Sequence, residues 1–422
     1  MDYEVNDLIF LFNFLVFSVF CVTYGKIGTS IQYILLTGCV VLGALCLVLL
    51  PSFRYRLLIP SPLTSPVLKA VFFYLPALIF VSWLYGALLG VFNYNPLEDV
   101  LRNFAGLVVY LFFYILWLIR PPFSSIFFLL FLASLVQISY GVFNSFNLIN
   151  NSINIVLLGS LSDLRMYYSG GLLLCFPLIT AWLFARDDCH FKFLKIPYIL
   201  HVLFKSRLFF IALCYTVLIP AMSKGFILAF TLLLFTYFSF LSFHCFRRAR
   251  HLIMLMLLIV SAAIAAFLVP AEFVDLVVSS YSYQERSNLV RAEQYKHLVN
   301  DLTITGHGLG APLSTGYSRS KTEYGFELTY LNLIHKLGLF SIPLLFCYIY
   351  TVTVALIRIF LRINMLQSSV AFGCLFYLIP GAGNPILLSP FLVVLHCIAI
   401  YILLEPYTEL KHRTAWYLTR RT

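Results

Sequence analysis

Charged residues are scarce in this chain of 422 residues: Asp, Glu, Lys and Arg together make up only 11% of it. A typical soluble domain has roughly 25%. Hydrophobic residues account for 61%, which is too apolar for a soluble globular protein. Successive apolar runs of about 17 to 25 residues match the length that an α-helix needs to cross a bilayer. Long apolar runs of this kind exclude a β-barrel, in which apolar and polar residues alternate.

We therefore predict an all-α fold, a polytopic transmembrane helix bundle of about 12 spans with a partly helical periplasmic loop. The predicted spans are 8–24, 30–50, 68–92, 101–119, 124–147, 169–185, 207–222, 225–244, 252–270, 338–357, 367–382 and 386–404. The predicted organisation is nine spans with short loops in 1–270, a large loop in 271–326, three spans in 327–404 and a basic tail in 405–422.

The distribution of positive charge predicts the orientation of the chain. If the first span starts in the cytoplasm, 18 of the 28 lysines and arginines lie on the cytoplasmic side, as the positive-inside rule requires. Both termini are then cytoplasmic. The net charge of +11 is explained by this bias and by contact with anionic lipid headgroups, so we predict membrane lipids and no nucleic acid as partners.

Cysteine-based sites are lacking. None of the ten cysteines lies in the long loop at 271–326, and the sequence contains no C-x-x-C motif. Neither a disulfide framework nor a cysteine metal site is expected. We predict no metal and no cofactor.

The long loop is the main polar feature of the chain, with 56 residues between 271 and 326. Loops of this length are usually functional or disordered. Helical spacing of the apolar residues in 272–302 predicts one or two amphipathic helices lying over the bundle. The following stretch, "TGHGLGAPLSTGYSRS", is glycine-rich, which would let the backbone approach a ligand closely. It has neither the G-x-G-x-x-G pattern nor the lysine of a phosphate-binding loop, so nucleotide binding is not predicted.

Three arginines on the predicted outer side could bind a phosphate or pyrophosphate, because guanidinium donates paired hydrogen bonds to oxyanions and stays charged. They are Arg165, Arg286 and Arg291. An alternative is that they pair with the neighbouring acids Asp163, Glu285 and Glu293.

Glu327 begins an apolar stretch, where partial desolvation would raise its pKa toward the range useful to a general base. Tyr330 and His335 follow on roughly the same helical face. The alternative is an acid in the first turn of a helix, favoured by the helix dipole. His307 is either a substrate contact or a solvated loop residue. Tyr324 is a candidate for stacking on sugars or for anchoring at the interface.

Three segments resemble the O-antigen polymerase and O-antigen ligase superfamily. The stretch "ELTYLNLIHKLGLF" is similar to the motif leading into a late span of that family, with Glu327 at the place of the ligases' functional histidine. "RAEQYKHLVNDLTITGHGLG" resembles its arginine helix and glycine turn. "RMYYSGG" resembles the arginine before its sixth span. The resemblance is confined to about residues 160–345.

This resemblance implies a glycosyltransferase of the bacterial inner membrane that uses undecaprenyl-pyrophosphate-linked oligosaccharides, with its active site facing the periplasm. It implies that Arg165, Arg286 and Arg291 hold the pyrophosphate, that Glu327 is the catalytic base, and that His307, Tyr324, Tyr330 and His335 contact substrate. It further implies an inverting, metal-independent transfer onto another lipid-linked repeat unit, with a chain-length regulator as a candidate partner.

The missing His-Asn pair favours a polymerase over a ligase that transfers the finished polymer to lipid A core. A transporter of lipid-linked sugars is the alternative from another class. That alternative predicts charges near the bilayer midplane and repeated broken helices, whereas here the charges gather at one surface.

Overall fold

The computed structural model describes residues 14–19, 34–38, 41, 66–155, 170–186, 198–218, 224–245, 286–318, 325–383 and 387–404. These residues form helices and irregular connections, with no strand among them. Beyond two short helical pieces at 14–19 and 34–38, the α-helices are Pro66–Phe92, Leu97–Arg102, Phe112–Ile119, Phe123–Ile155, Phe176–Ala185, Tyr198–Lys205, Arg207–Leu218, Lys224–Cys245, Arg286–Asn300, Thr329–Leu337, Ile342–Phe360, Met365–Cys374, Leu378–Gly381 and Pro390–Leu404. Three 3-10 turns, Ala105–Leu111, Gly170–Cys175 and Gly338–Ser341, continue directly into the helices that follow them.

The all-α prediction is confirmed over the described residues. Three helices are long and apolar enough to cross a membrane: Ala70–Phe92, Gly225–His244 and Thr329–Phe360. Six shorter apolar helices accompany them. The count of about 12 spans stays a prediction, because the span expected at 252–270 and most of those at 8–24 and 30–50 lie outside the described residues.

The helix Pro66–Phe92, called here the docking helix, carries an exposed apolar stripe. Leu78, Val81, Leu84, Leu88 and Val91 are all exposed, and their spacing of three and four residues places them on one helical face. A continuous apolar surface of this kind is costly in water. It is consistent with a helix that spans a membrane.

The core of the bundle surrounds the helix Pro390–Leu404, in which every residue is buried. A helix that is apolar on all sides is expected to be enclosed by other helices, and this one packs against Ala105–Leu111, Phe112–Ile119 and Met365–Cys374. One polar residue, His396, lies inside it. The Tyr110 hydroxyl is 2.8 Å from His396 Nδ1, and the Thr351 hydroxyl is 3.1 Å from Nε2, so this buried ring is satisfied by neighbouring helices.

A helix predicted in the long loop is present at Arg286–Asn300, called here the loop helix. Its Leu298 is fully buried and packs with Leu313 and Phe326. Leu289 and Val299, apolar residues of the same helix, are exposed. The loop helix is therefore held by few apolar contacts, and polar contacts decide how it is positioned.

The span predicted at 338–357 begins earlier than expected. A nine-residue helix, Thr329–Leu337, called here the short helix, precedes it and ends at Gly338. The φ and ψ of Gly338, 53° and −130°, form a combination that only glycine adopts readily. A side chain at Gly338 would lie 2.5 Å from the Gly306 backbone nitrogen. The close approach of another backbone segment is the reason that this junction needs glycine.

Candidate functional site

The glycine-rich stretch docks against other backbone segments of the protein. Gly306, Gly308 and Gly310, called here the glycine segment, have φ values of 77°, 82° and 76°, which belong to the left-handed region where side chains are disfavoured. A Cβ at Gly308 would lie 2.6 Å from the Gly90 Cα. The glycines were expected to let backbone approach a ligand, and in the structure they let it approach the docking helix and the short helix.

Backbone hydrogen bonds hold the glycine segment in place. The N–H groups of His307 and Gly308 donate to the carbonyl oxygens of His335 and Lys336, at 2.9 and 3.0 Å, and Leu309 N–H donates to Gly86 O at 2.8 Å. The segment therefore joins the end of the short helix to the docking helix.

Side chains just beyond the docking helix complete this contact. Asn93 Nδ2 donates to His307 O at 3.0 Å, and Asn95 Nδ2 donates to Leu309 O at 2.9 Å. Gly86 and Gly90 form a Gly-x-x-x-Gly pattern, "GALLG", which lets another backbone approach a helix closely. This pattern was not considered as a docking signal in the sequence analysis, although it was available there.

Glu327 and Arg291 form an ion pair. Arg291 Nε lies 3.1 Å from Glu327 Oε2, and both side chains are partly exposed, at 25% and 17%. Glu327 precedes the short helix, which has no acidic residue in its first turn. The alternative of a first-turn acid therefore does not describe Glu327. Arg291 was expected either to bind phosphate or to pair with a neighbouring acid, and it pairs with an acid 36 positions away.

The loop helix holds Glu327 at two points. Gln294 lies three residues after Arg291, on the same helical face, and its Oε1 accepts a hydrogen bond from the Glu327 backbone N–H at 3.1 Å. The Gln294 side chain is fully buried. One helix face therefore fixes the Glu327 backbone through an amide and its carboxylate through a guanidinium. The role of Gln294 went unrecognised in the sequence, where it is one polar residue among many.

The segment 378–383 borders the ion pair. A Cβ at Gly383 would lie 3.7 Å from Arg291 Nε, and the Tyr330 hydroxyl donates to Leu378 O at 2.9 Å. Arg291 and Tyr330 thus both approach the segment 378–383, at its two ends. The Arg291 and Glu327 side chains carry opposite charges and are each partly exposed.

Asp301, at the end of the loop helix, is the centre of a second polar cluster. Its carboxylate accepts hydrogen bonds from the Ser314 hydroxyl at 2.5 Å, from Ser314 N–H at 3.0 Å and from His335 Nε2 at 2.9 Å. Burial by itself would raise the pKa of Asp301, but these donors and the nearby His307 favour the ionised form and lower it to about 2. Asp301 is therefore a carboxylate at neutral pH.

His307 and His335 belong to this second cluster. Their rings stack with centroids 4.6 Å apart, and His307 Nε2 donates to the Asp301 carbonyl oxygen at 2.7 Å. His335 is fully buried. Both histidines were predicted to contact substrate, and in the structure both contact Asp301, a residue to which the sequence analysis gave no role.

The remaining predicted site residues are described only in part. Arg286 begins the loop helix, and its side chain is outside the described part of the structure. Arg165 and Tyr324 lie outside the described residues. The predicted meeting of three arginines around one pyrophosphate therefore stays a prediction.

Comparisons of the chain with protein-family models, with characterised proteins and with solved structures find no match. The resemblance to the O-antigen polymerase and ligase superfamily accordingly stays a prediction carried by the three motifs.

Proposed function

We propose that the chain is a polysaccharide polymerase of the bacterial inner membrane, which transfers a glycan from undecaprenyl pyrophosphate to a hydroxyl at the non-reducing end of another lipid-linked repeat unit. The single observation that supports this most directly is the partly exposed Glu327–Arg291 ion pair. It combines a candidate base with a candidate pyrophosphate ligand in one place beside apolar helices.

In the proposed reaction, the acceptor hydroxyl attacks the anomeric carbon as the bond from that carbon to the diphosphate oxygen breaks. The acceptor proton passes to Glu327, and undecaprenyl diphosphate leaves with the bonding electron pair. Arg291, together with Arg165 and Arg286, neutralises the charge that develops on the departing diphosphate. A single displacement inverts the anomeric centre.

The ion pair suggests that the donor must bind before Glu327 can act as a base. A carboxylate held by a guanidinium is a weak base, because the positive charge stabilises its ionised form. A diphosphate carries more negative charge than a carboxylate and offers oxygen pairs that match the guanidinium. Donor binding would therefore take Arg291 away from Glu327, and Glu327 would become an effective base only when donor is present.

The test uses the full-length protein reconstituted in lipid with a lipid-linked repeat unit as sole substrate. We expect a ladder of longer glycans on a gel, and we expect Glu327→Gln to lower its rate by about 10² to 10⁴, the range typical of a lost general base. Arg291→Ala should abolish the ladder. Arg291→Lys should restore it only in part, because an ammonium lacks the planar paired donors of guanidinium.

Two exposed residues of the same loop helix provide matched controls. Glu293 and Lys296 carry the same charges as Glu327 and Arg291, and both are exposed. Glu293→Gln and Lys296→Ala should leave the ladder unchanged. A ladder unaffected by Glu327→Gln would refute the proposed role of this carboxylate.

The same preparation separates the alternatives. Product that forms only after lipid A core is added would favour the ligase. Movement of the lipid-linked unit across the bilayer without any glycan growth would favour the transporter.

A further inference from the structure

The cluster of Asp301, His307 and His335 is separate from the Glu327–Arg291 pair. Arg291 lies within the loop helix and Asp301 directly follows it. Ten residues separate them, which corresponds to about 15 Å at the rise of an α-helix. The proposed transfer reaction does not use this cluster. It joins the end of the loop helix, the glycine segment and the short helix.

We propose that Asp301, His307 and His335 bind one divalent metal ion of the zinc type. Two imidazoles and a carboxylate are the donor set that such ions accept, with water as a further ligand. One ligand atom from each residue can be chosen so that all three lie within 4.8 Å of one another.

The spacing of the donor atoms is near that of a coordinated ion. Ligand atoms placed tetrahedrally at about 2.0 to 2.2 Å from zinc are about 3.4 Å apart. His335 Nε2 lies 2.9 Å from Asp301 Oδ2, and His307 Nε2 lies 3.9 Å from Asp301 Oδ1. One separation is shorter and the other longer than the coordinated value, each by about half an ångström. They end on different oxygens of the carboxylate, and with one oxygen chosen the three ligand atoms lie within 4.8 Å of one another.

One of the two rings has to turn. The two histidine rings stack nearly in parallel, with an interplanar angle of 24°. When a histidine binds a metal, the ion lies in the plane of the ring, so two stacked rings cannot both point a nitrogen at the same ion. His335 is fully buried and fixed by its surroundings, but the His307 side chain is 29% exposed and belongs to an irregular segment. Turning it exchanges its hydrogen bond to the Asp301 carbonyl oxygen for a bond to the ion. In both rings the proton on Nε2 must move to Nδ1, so that the Nε2 lone pair is free to bind the ion.

Lys336 interacts electrostatically with Asp301, but its hydrogen bond goes to another group. Lys336, beside His335, donates its ammonium to the Ala311 carbonyl oxygen and lies over the Phe326 ring. The ionised Asp301 supplies the negative charge that a divalent ion requires. Asp301 directly follows the loop helix and His335 lies in the short helix. A bound ion would therefore hold the two helices together.

The experiment measures metal binding directly. Full-length protein, purified in detergent with an affinity tag free of histidine, is stripped with a chelator and titrated with Co²⁺ and then Zn²⁺. We expect one equivalent to bind, visible ligand-field absorption for Co²⁺, displacement of Co²⁺ by Zn²⁺, and slower proteolysis of the chain near residue 318 when the ion is bound.

Three variants make the result specific. His307→Gln keeps a donor for the Asp301 carbonyl oxygen but removes the imidazole ligand. It should fold and bind the metal ion at least about 100-fold more weakly. Loss of a residue that only contacts a metal ligand already weakens metal binding by up to about that factor. Asp301→Asn should lose binding as well. His297→Ala is the control, because His297 stacks on Tyr317 in the same region and is outside the cluster.

The proposal is overturned if wild-type protein binds less than a stoichiometric amount of Co²⁺, or if His307→Gln binds it as tightly as wild type does. In either case the three residues are a hydrogen-bonded structural cluster only. The result is independent of glycan transfer, since no step of the assay uses the lipid-linked substrate.

Discussion

Gly308 is the position where the glycine segment comes closest to the docking helix, and its replacement by alanine tests whether this contact holds the loop in place. The φ of Gly308 is +82°, and the added Cβ would lie 2.6 Å from the Gly90 Cα and 2.7 Å from the Leu89 carbonyl carbon. Both neighbours are backbone atoms of a helix, which cannot move away as a flexible side chain can. Gly308→Ala must therefore displace the glycine segment.

The expected cost has two parts. A left-handed φ costs a residue with a side chain about 1 to 2 kcal/mol. Displacement also weakens the hydrogen bonds from Gly308 N–H to Lys336 O and from Leu309 N–H to Gly86 O, each contributing about 1 kcal/mol. The free energy of unfolding should fall by about 3 to 4 kcal/mol.

Gly316 provides the matched control. It has a similar φ of +69°, and a Cβ there meets no atom of the described residues within 4 Å. Gly316→Ala should therefore cost only the backbone part, about 1 to 2 kcal/mol. The difference between the two variants, about 2 kcal/mol, isolates the close approach of backbone to backbone.

Thermal unfolding in detergent can be followed as the increase in reaction with a thiol-reactive dye, because Cys175, Cys347, Cys374 and Cys397 are free and buried and become accessible when the bundle opens. The partly exposed Cys214 contributes to the signal before unfolding. Proteolysis of 286–318 reports release of the loop separately. Gly308→Ala should accelerate that proteolysis far more than Gly316→Ala. Equal effects of the two substitutions on both measurements would refute the docking role of the glycine segment.

Two further stability predictions concern the helix bundle. Alanine usually stabilises a helix relative to glycine by about 1 kcal/mol. Gly373→Ala should nevertheless destabilise the protein, because its Cβ would lie 2.7 Å from the Phe176 carbonyl oxygen. Gly38→Ala is the control: its Cβ meets no described atom within 4 Å, so it should be neutral or stabilising in the same dye assay. Tyr110→Phe removes the partner of His396 Nδ1 and should lower the free energy of unfolding by about 1 to 3 kcal/mol, and an unchanged unfolding midpoint would show that the Tyr110 bond is dispensable.

Local features of the fold could be predicted well. The predicted spans at 68–92, 225–244 and 386–404 fall within a few residues of helices in the structure, because apolar runs bounded by polar or helix-breaking residues specify helices wherever they lie in the fold. The loop helix followed from its spacing in the same way. Which apolar residues of the loop helix are covered could not be predicted, because Leu298 is covered by Leu313 and Phe326, which are remote in the sequence.

Site residues illustrate the opposite case. Glu327 was selected from its position before an apolar stretch, but its pairing with Arg291 depends on how the intervening residues return to the loop helix. Asp301 was overlooked because a single aspartate after a helix has no distinctive local pattern. Its importance comes from His307 and Ser314, in the irregular stretch that follows it, and from His335, which the fold brings from the short helix.

The sequence by itself determined that the chain forms apolar helices suited to a bilayer, because helix formation and burial of apolar side chains in lipid depend on local composition. It also placed glycine at positions 306, 308 and 310, where the backbone has a left-handed φ. The tertiary structure alone decided what those glycines contact and which acid meets which base. Ion pairs and hydrogen bonds form between groups within a few ångströms of each other, and such distances between remote residues exist only after the helices have packed.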